Sequence, residues 1–69
     1  MKLHYYADSD SLYIDLSDAA SAESRELSND FVVDYDEGGH IVGFDIQHAS
    51  KHMDLSRVET FHLPLPTAS

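Results

Sequence analysis

No cysteine occurs among the 69 residues, so no disulfide can brace the fold. A chain this short buries only about 60% of the surface its unfolded form exposes, and a core of this size rarely supplies more than roughly 3 to 5 kcal/mol. The supports that remain are self-association, a partner or a metal. Basic residues are scarce too: four Lys and Arg stand against 13 Asp and Glu, for a net charge of −9. That balance repels phosphates and argues against direct contact with nucleic acid. It suits a basic partner, or serves solubility alone. The only glycines are Gly38, Gly39 and Gly43, and they build no phosphate-cradling loop. No apolar run approaches the ~20 residues of a membrane span, and no basic segment followed by an apolar one opens the chain. A cytoplasmic protein without membrane contact is expected. The 42% hydrophobic fraction, ordinary for globular chains, argues against a disordered acidic tail.

What is present is a pair of hairpin signals. Lys2 to Ala7 alternates, with Leu3, Tyr5 and Ala7 on one side and Lys2, His4 and Tyr6 on the other, the period of a half-buried strand. Asp8-Ser9-Asp10-Ser11 is built of residues whose side chains bond their own backbone in turns, and Leu12 to Leu16 resumes the alternation. This predicts a hairpin over residues 2–16. Residues 17–24, rich in Ser and Ala, read as the main loop. Glu23 to Leu27 has a weak extended pattern that could open a third strand, with Ser28-Asn29-Asp30 as a bend or bulge. Phe31 to Asp36, the turn Glu37-Gly38-Gly39 and His40 to Gln47 make a second hairpin over 31–47, its glycines supplying positive φ. Gly43 leaves room for an aromatic neighbour, with Tyr35 or Tyr5 as the expected occupant.

The C-terminal segment, 49–69, changes character. Asp54 or Ser56 can cap a short helix, and Ser56-Arg57-Val58-Glu59 has capping-box spacing. Pro64 and Pro66 stop regular structure, so Val58 to Leu63 is either the end of that helix or a short extended edge, the extended version preferred. The expectation is one α+β, mainly β domain over 1–69: an antiparallel sheet of about four strands from two hairpins, with a short C-terminal helical turn or extended tail. If one sheet face fills the core, Tyr6, Tyr13, Val32 and Phe44 are left on the other, an interface unless Met53 to Leu65 folds over it. A homodimer follows from the small core.

Few groupings suggest chemistry. Asp8 with Asp10, and Asp34 with Asp36 and Glu37, are oxygen clusters, but neither completes a calcium loop, and capping of the turns is the preferred reading. His48 and His52 are four apart, the spacing of a zinc pair on a helix. No Glu follows His48 in the metalloprotease manner and no cysteine is available, so two exposed or hydrogen-bonded histidines are preferred over a metal site. Nothing local supports a Ser-His-Asp triad, and the expectation is a protein that is not an enzyme and needs no cofactor.

The stretches Asp10-Ser11-Leu12-Tyr13-Ile14 and Val33-Asp34-Tyr35-Asp36, followed by Gly39 to Ile46 and Ala49-Ser50, resemble the small bacterial family called domain of unknown function 2283. The resemblance covers roughly Leu3 to Ser50. Phe44-Asp45 stands where Ile-Glu is common, and the turn has two glycines. The family offers no catalytic residues to carry over. Its members' association with small ribonuclease-like proteins implies an antitoxin-like or inhibitor role. On that reading Asp8, Asp10, Asp34 and Asp36 steer a small basic protein while Tyr6, Tyr13 and Phe44 anchor it. A metal-binding module and a structural homo-oligomer are the alternatives.

Overall fold

A computed structural model describes residues 1–64. Five strands form one antiparallel sheet: β1 (Lys2–Tyr6), β2 (Ser11–Asp15), β3 (Glu23–Ser28), β4 (Phe31–Tyr35) and β5 (Ile41–Ile46), followed by a single helical turn, α1 (Ala49–His52). Their spatial order is β1-β2-β5-β4-β3. Strands β3, β4 and β5 form a meander, and β2 returns to lie beside β5, so β2 to β5 form a Greek key.

Both expected hairpins are present, but the sheet has five strands rather than about four. The added strand is β3, which starts at Glu23 and shortens the expected loop. Its sequence ESRELS is polar and exposed on both faces, so it carries no apolar alternation. Backbone bonding to β4 makes it a strand. The register shifts between Glu26 and Ser28, placing a bulge at Leu27 beside the Asn29-Asp30 turn.

The other turns follow from their residues. Asp10 takes φ 52°, a left-handed position that Asp tolerates. Between β4 and β5, the Asp36 amide donates to the His40 carbonyl (2.9 Å) and Gly39 takes φ 82°. The Asp36 carboxylate accepts the His40 amide at 2.9 Å, closing the loop from inside.

Register assigns the faces. Leu3 opposes Ile14, Tyr5 opposes Leu12, Leu12 opposes Ile46, Ile14 opposes Phe44, and Phe44 opposes Val33, so these residues share one side. Phe44 is therefore on the apolar side with the core, not on the opposite face where alternation alone placed it. A bulge in β5 pairs Asp34 with Gly43 but Tyr35 with Ile41, leaving Val42 as the extra residue. Val42 is buried, while Ile41 is exposed.

The core is small: Leu12, Val33, Val42, Ile46 and Ala49. Ala49 sits against Leu12 and Ile46, with Ile14, Phe31, Met53 and Leu55 packed around them. The expected cap residues lie after the helix, not at its start. Asp54 instead accepts the Ser56 amide at 3.0 Å in a turn of its own, and Arg57 pairs with Glu59 at 3.2 Å. Residues 58–63 form neither helix nor strand. Met53 and Leu55 do cover part of the sheet, on its apolar face, while Val58, Phe61 and Leu63 remain exposed. Leu65, Pro66 and the rest of the expected 49–69 segment lie outside the described residues.

Candidate functional site

The second sheet face is built by the alternate residues. Across it run two rows in register: Lys2, Asp15, Gly43, Asp34 and Ser24, then His4, Tyr13, Asp45, Val32 and Glu26. None of their side chains is buried. Helix α1 and Leu55 pack on the apolar side, so four carboxylates stand on an open surface: Asp15, Asp34, Asp45 and Glu26.

Gly43 organises this face. A Cβ there would lie 2.6 Å from the Tyr13 Cζ and 3.2 Å from the Ile14 carbonyl oxygen. The glycine admits an aromatic ring, as its position in the strand predicts, but the occupant is Tyr13 rather than Tyr35 or Tyr5. The Tyr13 ring reaches across β5 and its hydroxyl donates to Asp34 Oδ2 at 2.8 Å. The Ser24 hydroxyl donates to Asp34 Oδ1 at 2.6 Å. One hydrogen-bonded row thus ties β2 to β4 and β3 over the glycine of β5. Partial burial, the bond to Asp34 and the charges of Asp34, Asp15 and Asp45 push the Tyr13 phenol up to about 12.

Two further carboxylates hold the helical turn. Asp10 accepts the Ser50 hydroxyl (2.6 Å), the Ser50 amide (3.2 Å) and the Tyr5 hydroxyl (2.8 Å), while its own carbonyl accepts the Ala49 amide (2.8 Å). The bonds from Ser50 and Tyr5 lower the Asp10 carboxyl below its ordinary value, and the same contact raises the Tyr5 phenol. Asp30, in the β3–β4 turn, receives His52 Nε2 on one oxygen (2.7 Å) and His48 Nδ1 on the other (3.1 Å). These bonds, His52 foremost, lower the Asp30 carboxyl. The His52 ring also meets Phe31 edge to face, centroids 5.0 Å apart.

The residues singled out from sequence are thus dispersed. Tyr6 and Asp8 are exposed near the β1–β2 turn, whereas Asp10 secures α1, Asp34 anchors Tyr13 and Asp36 closes the β4–β5 turn, where the His40 amide lowers its carboxyl. His48 and His52 do converge, as their spacing suggested, but on Asp30. Among the described residues no group of three or more His, Cys, Asp or Glu is arranged to hold a metal ion. Sequence reading missed Asp30, Ser50 and Ser24, whose partners lie 22, 40 and 10 positions away. It also missed Asp15, Asp45 and Glu26, which strand alternation could have grouped once the register was known.

An apolar concavity of about 430 Å³ lies on the other face between β1–β2 and the following segment, lined by Leu3, Tyr5, Ile14, Met53, Leu55 and Val58. Among the described residues no helix is long and apolar enough to cross a membrane. No curated protein and no solved structure matches the chain. The family model described as protein of unknown function (DUF2283) matches residues 2–50, as the two hairpins suggested, and the chain belongs to that family.

Proposed function

We propose that this chain is a non-enzymatic protein-binding module whose acidic sheet face docks a small basic protein, in the manner of an antitoxin-like inhibitor that masks a basic surface. The observation that carries the reading is the open face on which Asp15, Asp34 and Asp45 surround the Tyr13 ring and Glu26 extends the acidic row to the edge. An antiparallel sheet commonly leaves one face to solvent, but that face is then mixed in charge. Here Lys2 is the single Lys or Arg among the ten residues of the two rows. Carboxylates held on rigid strands steer a cationic partner and accept Arg and Lys without reordering. Exposed Tyr6 and the pinned Tyr13 supply aromatic surface beside them.

The test is affinity purification of the tagged protein from its own host, beside a variant carrying Asp15→Lys and Asp45→Lys. A stoichiometric small basic protein that elutes with rising salt and is lost from the variant supports the reading. Recovery of the chain alone, or of a partner indifferent to the charge reversal, refutes it.

A further inference from the structure

The two edges of the sheet are not alike. Edge strand β3 carries Glu23, Arg25 and Glu26 and is bent by a bulge at Leu27, the devices that discourage a strand from pairing with another chain. Edge strand β1, sequence KLHYY, is less protected: its one Lys or Arg, Lys2, stands at the first residue of the strand, and it has no carboxylate, no proline, no bulge, and an unbroken five-residue register with β2. Every residue of it is exposed, including Leu3, Tyr5 and Tyr6 at about half of their full areas. Next to it lie the exposed Val58 and the apolar groove.

The molecule is more open than a compact monomer of its mass, in part because Val58, Phe61 and Leu63 in the segment after α1 are exposed. The accessible area is 5517 Å² and the radius of gyration 13.4 Å. A compact monomer of this mass exposes about 4,300 Å² and has a radius near ~11 Å. The difference exceeds the roughly 800 Å² that each partner contributes to a standard interface.

We infer that β1 is a homodimer interface, pairing antiparallel with β1 of a second copy about a two-fold axis through His4, to give a continuous ten-stranded sheet. A second copy fits for two reasons beyond area. Chains of charge −9 repel, so self-association favours the edge strand that brings no carboxylate of its own. Strand geometry also provides a self-complementary register. The backbone groups of β1 not used by β2 belong to every second residue, so residues i and j can face each other across the dimer only when their numbers have the same parity. The register with the longest overlap sets Lys2 opposite Tyr6, Leu3 opposite Tyr5, and His4 opposite His4. Leu3 and Tyr5 then meet on the apolar face, joining the grooves of the two copies, while both acidic faces lie on the opposite side. The dimer does not depend on any basic partner.

The absence of cysteine makes the geometry directly testable. At the two-fold axis the paired Cα atoms lie about 4.5 to 5.5 Å apart, within the span of a disulfide. His4→Cys, oxidised mildly, should convert almost wholly to covalent dimer, and Arg25→Cys on the other edge should remain uncrosslinked. Light scattering on the unaltered chain should give twice the chain mass. Leu3→Lys should raise the dimer dissociation constant about tenfold or more while leaving the circular dichroism spectrum unchanged. Should Leu3→Lys fail to fold, the cysteine pair still decides. A monomer at micromolar concentration, crosslinking through Arg25→Cys instead, or a dimer that neither cysteine captures would each overturn the interface.

Discussion

Substituting Gly43 by alanine should be among the most damaging single-methyl changes available in this chain. The new Cβ would sit 2.6 Å from the Tyr13 Cζ, well inside any normal carbon contact, and closer still to its hydroxyl. The ring must leave β5, and the bond to Asp34 goes with it. Overpacking of this kind costs about 1 to 3 kcal/mol. A hydrogen bond to a charged acceptor contributes about 1.5 to 3 kcal/mol, and the two losses overlap because one movement causes both. Restricting the unfolded chain recovers about 0.4 to 1 kcal/mol. The net expectation is a loss of about 2 to 3 kcal/mol, or about 10 to 20 °C in Tm for a domain of this size. Urea titration followed by circular dichroism measures it. The decisive comparison is the Tyr13→Ala background, where the nearest remaining heavy atom is the Ile14 carbonyl oxygen at 3.2 Å. There Gly43→Ala should cost much less than it does in the native chain, because the clash with the ring is gone. Equal losses with and without the tyrosine ring would refute the role given to this glycine.

The phenol of Tyr13, raised from 10.0 to about 12, adds stability that is fully present below pH 10 and declines as pH climbs through 12. Ultraviolet titration should show Tyr13 ionising late, and Asp34→Asn should bring its midpoint back down. Acid acts in the opposite sense on Asp10 and Asp30, whose carboxyls are lowered from 3.8: their contribution is complete above about pH 4 and is lost as pH falls through the lowered values. Tm of the native chain should therefore decline more steeply below pH 4 than that of Asp10→Asn. Carboxyl resonances followed by NMR should place the Asp30 midpoint below the ordinary value, and His48→Ala with His52→Ala should restore it. An Asp30 midpoint unmoved by the double substitution would remove the histidines from its support.

Both hairpins were legible because their arms alternate and their turns contain Asp, Ser and Gly in positions that need them. Strand β3 was only faintly legible, since an edge strand with both faces in water needs no apolar period and is held by backbone bonds that composition does not record. Alternation alone puts Phe44 on the wrong face because strand parity is absolute only once a register is known, and the pairing of β2 with β5 joins residues about 30 positions apart. Gly43 announced an aromatic ring but not which one, for the same reason. His48 and His52 are hydrogen-bonded, one of the forms preferred over a metal pair, but nothing in the Asn29-Asp30 turn indicates that Asp30 is their common partner.

The helical turn α1 has a kinetic meaning. Four residues cannot sustain a helix in water by themselves. This one begins after His48 in a left-handed conformation, and its placement relies on Asp10 from the β1–β2 hairpin and Asp30 from the β3–β4 hairpin. Neither hairpin alone can seat it. Helix α1 should therefore form only after β2 and β5 have zipped together, among the last events of folding, and the amides of Ala49 and Ser50 should exchange with solvent whenever either hairpin detaches.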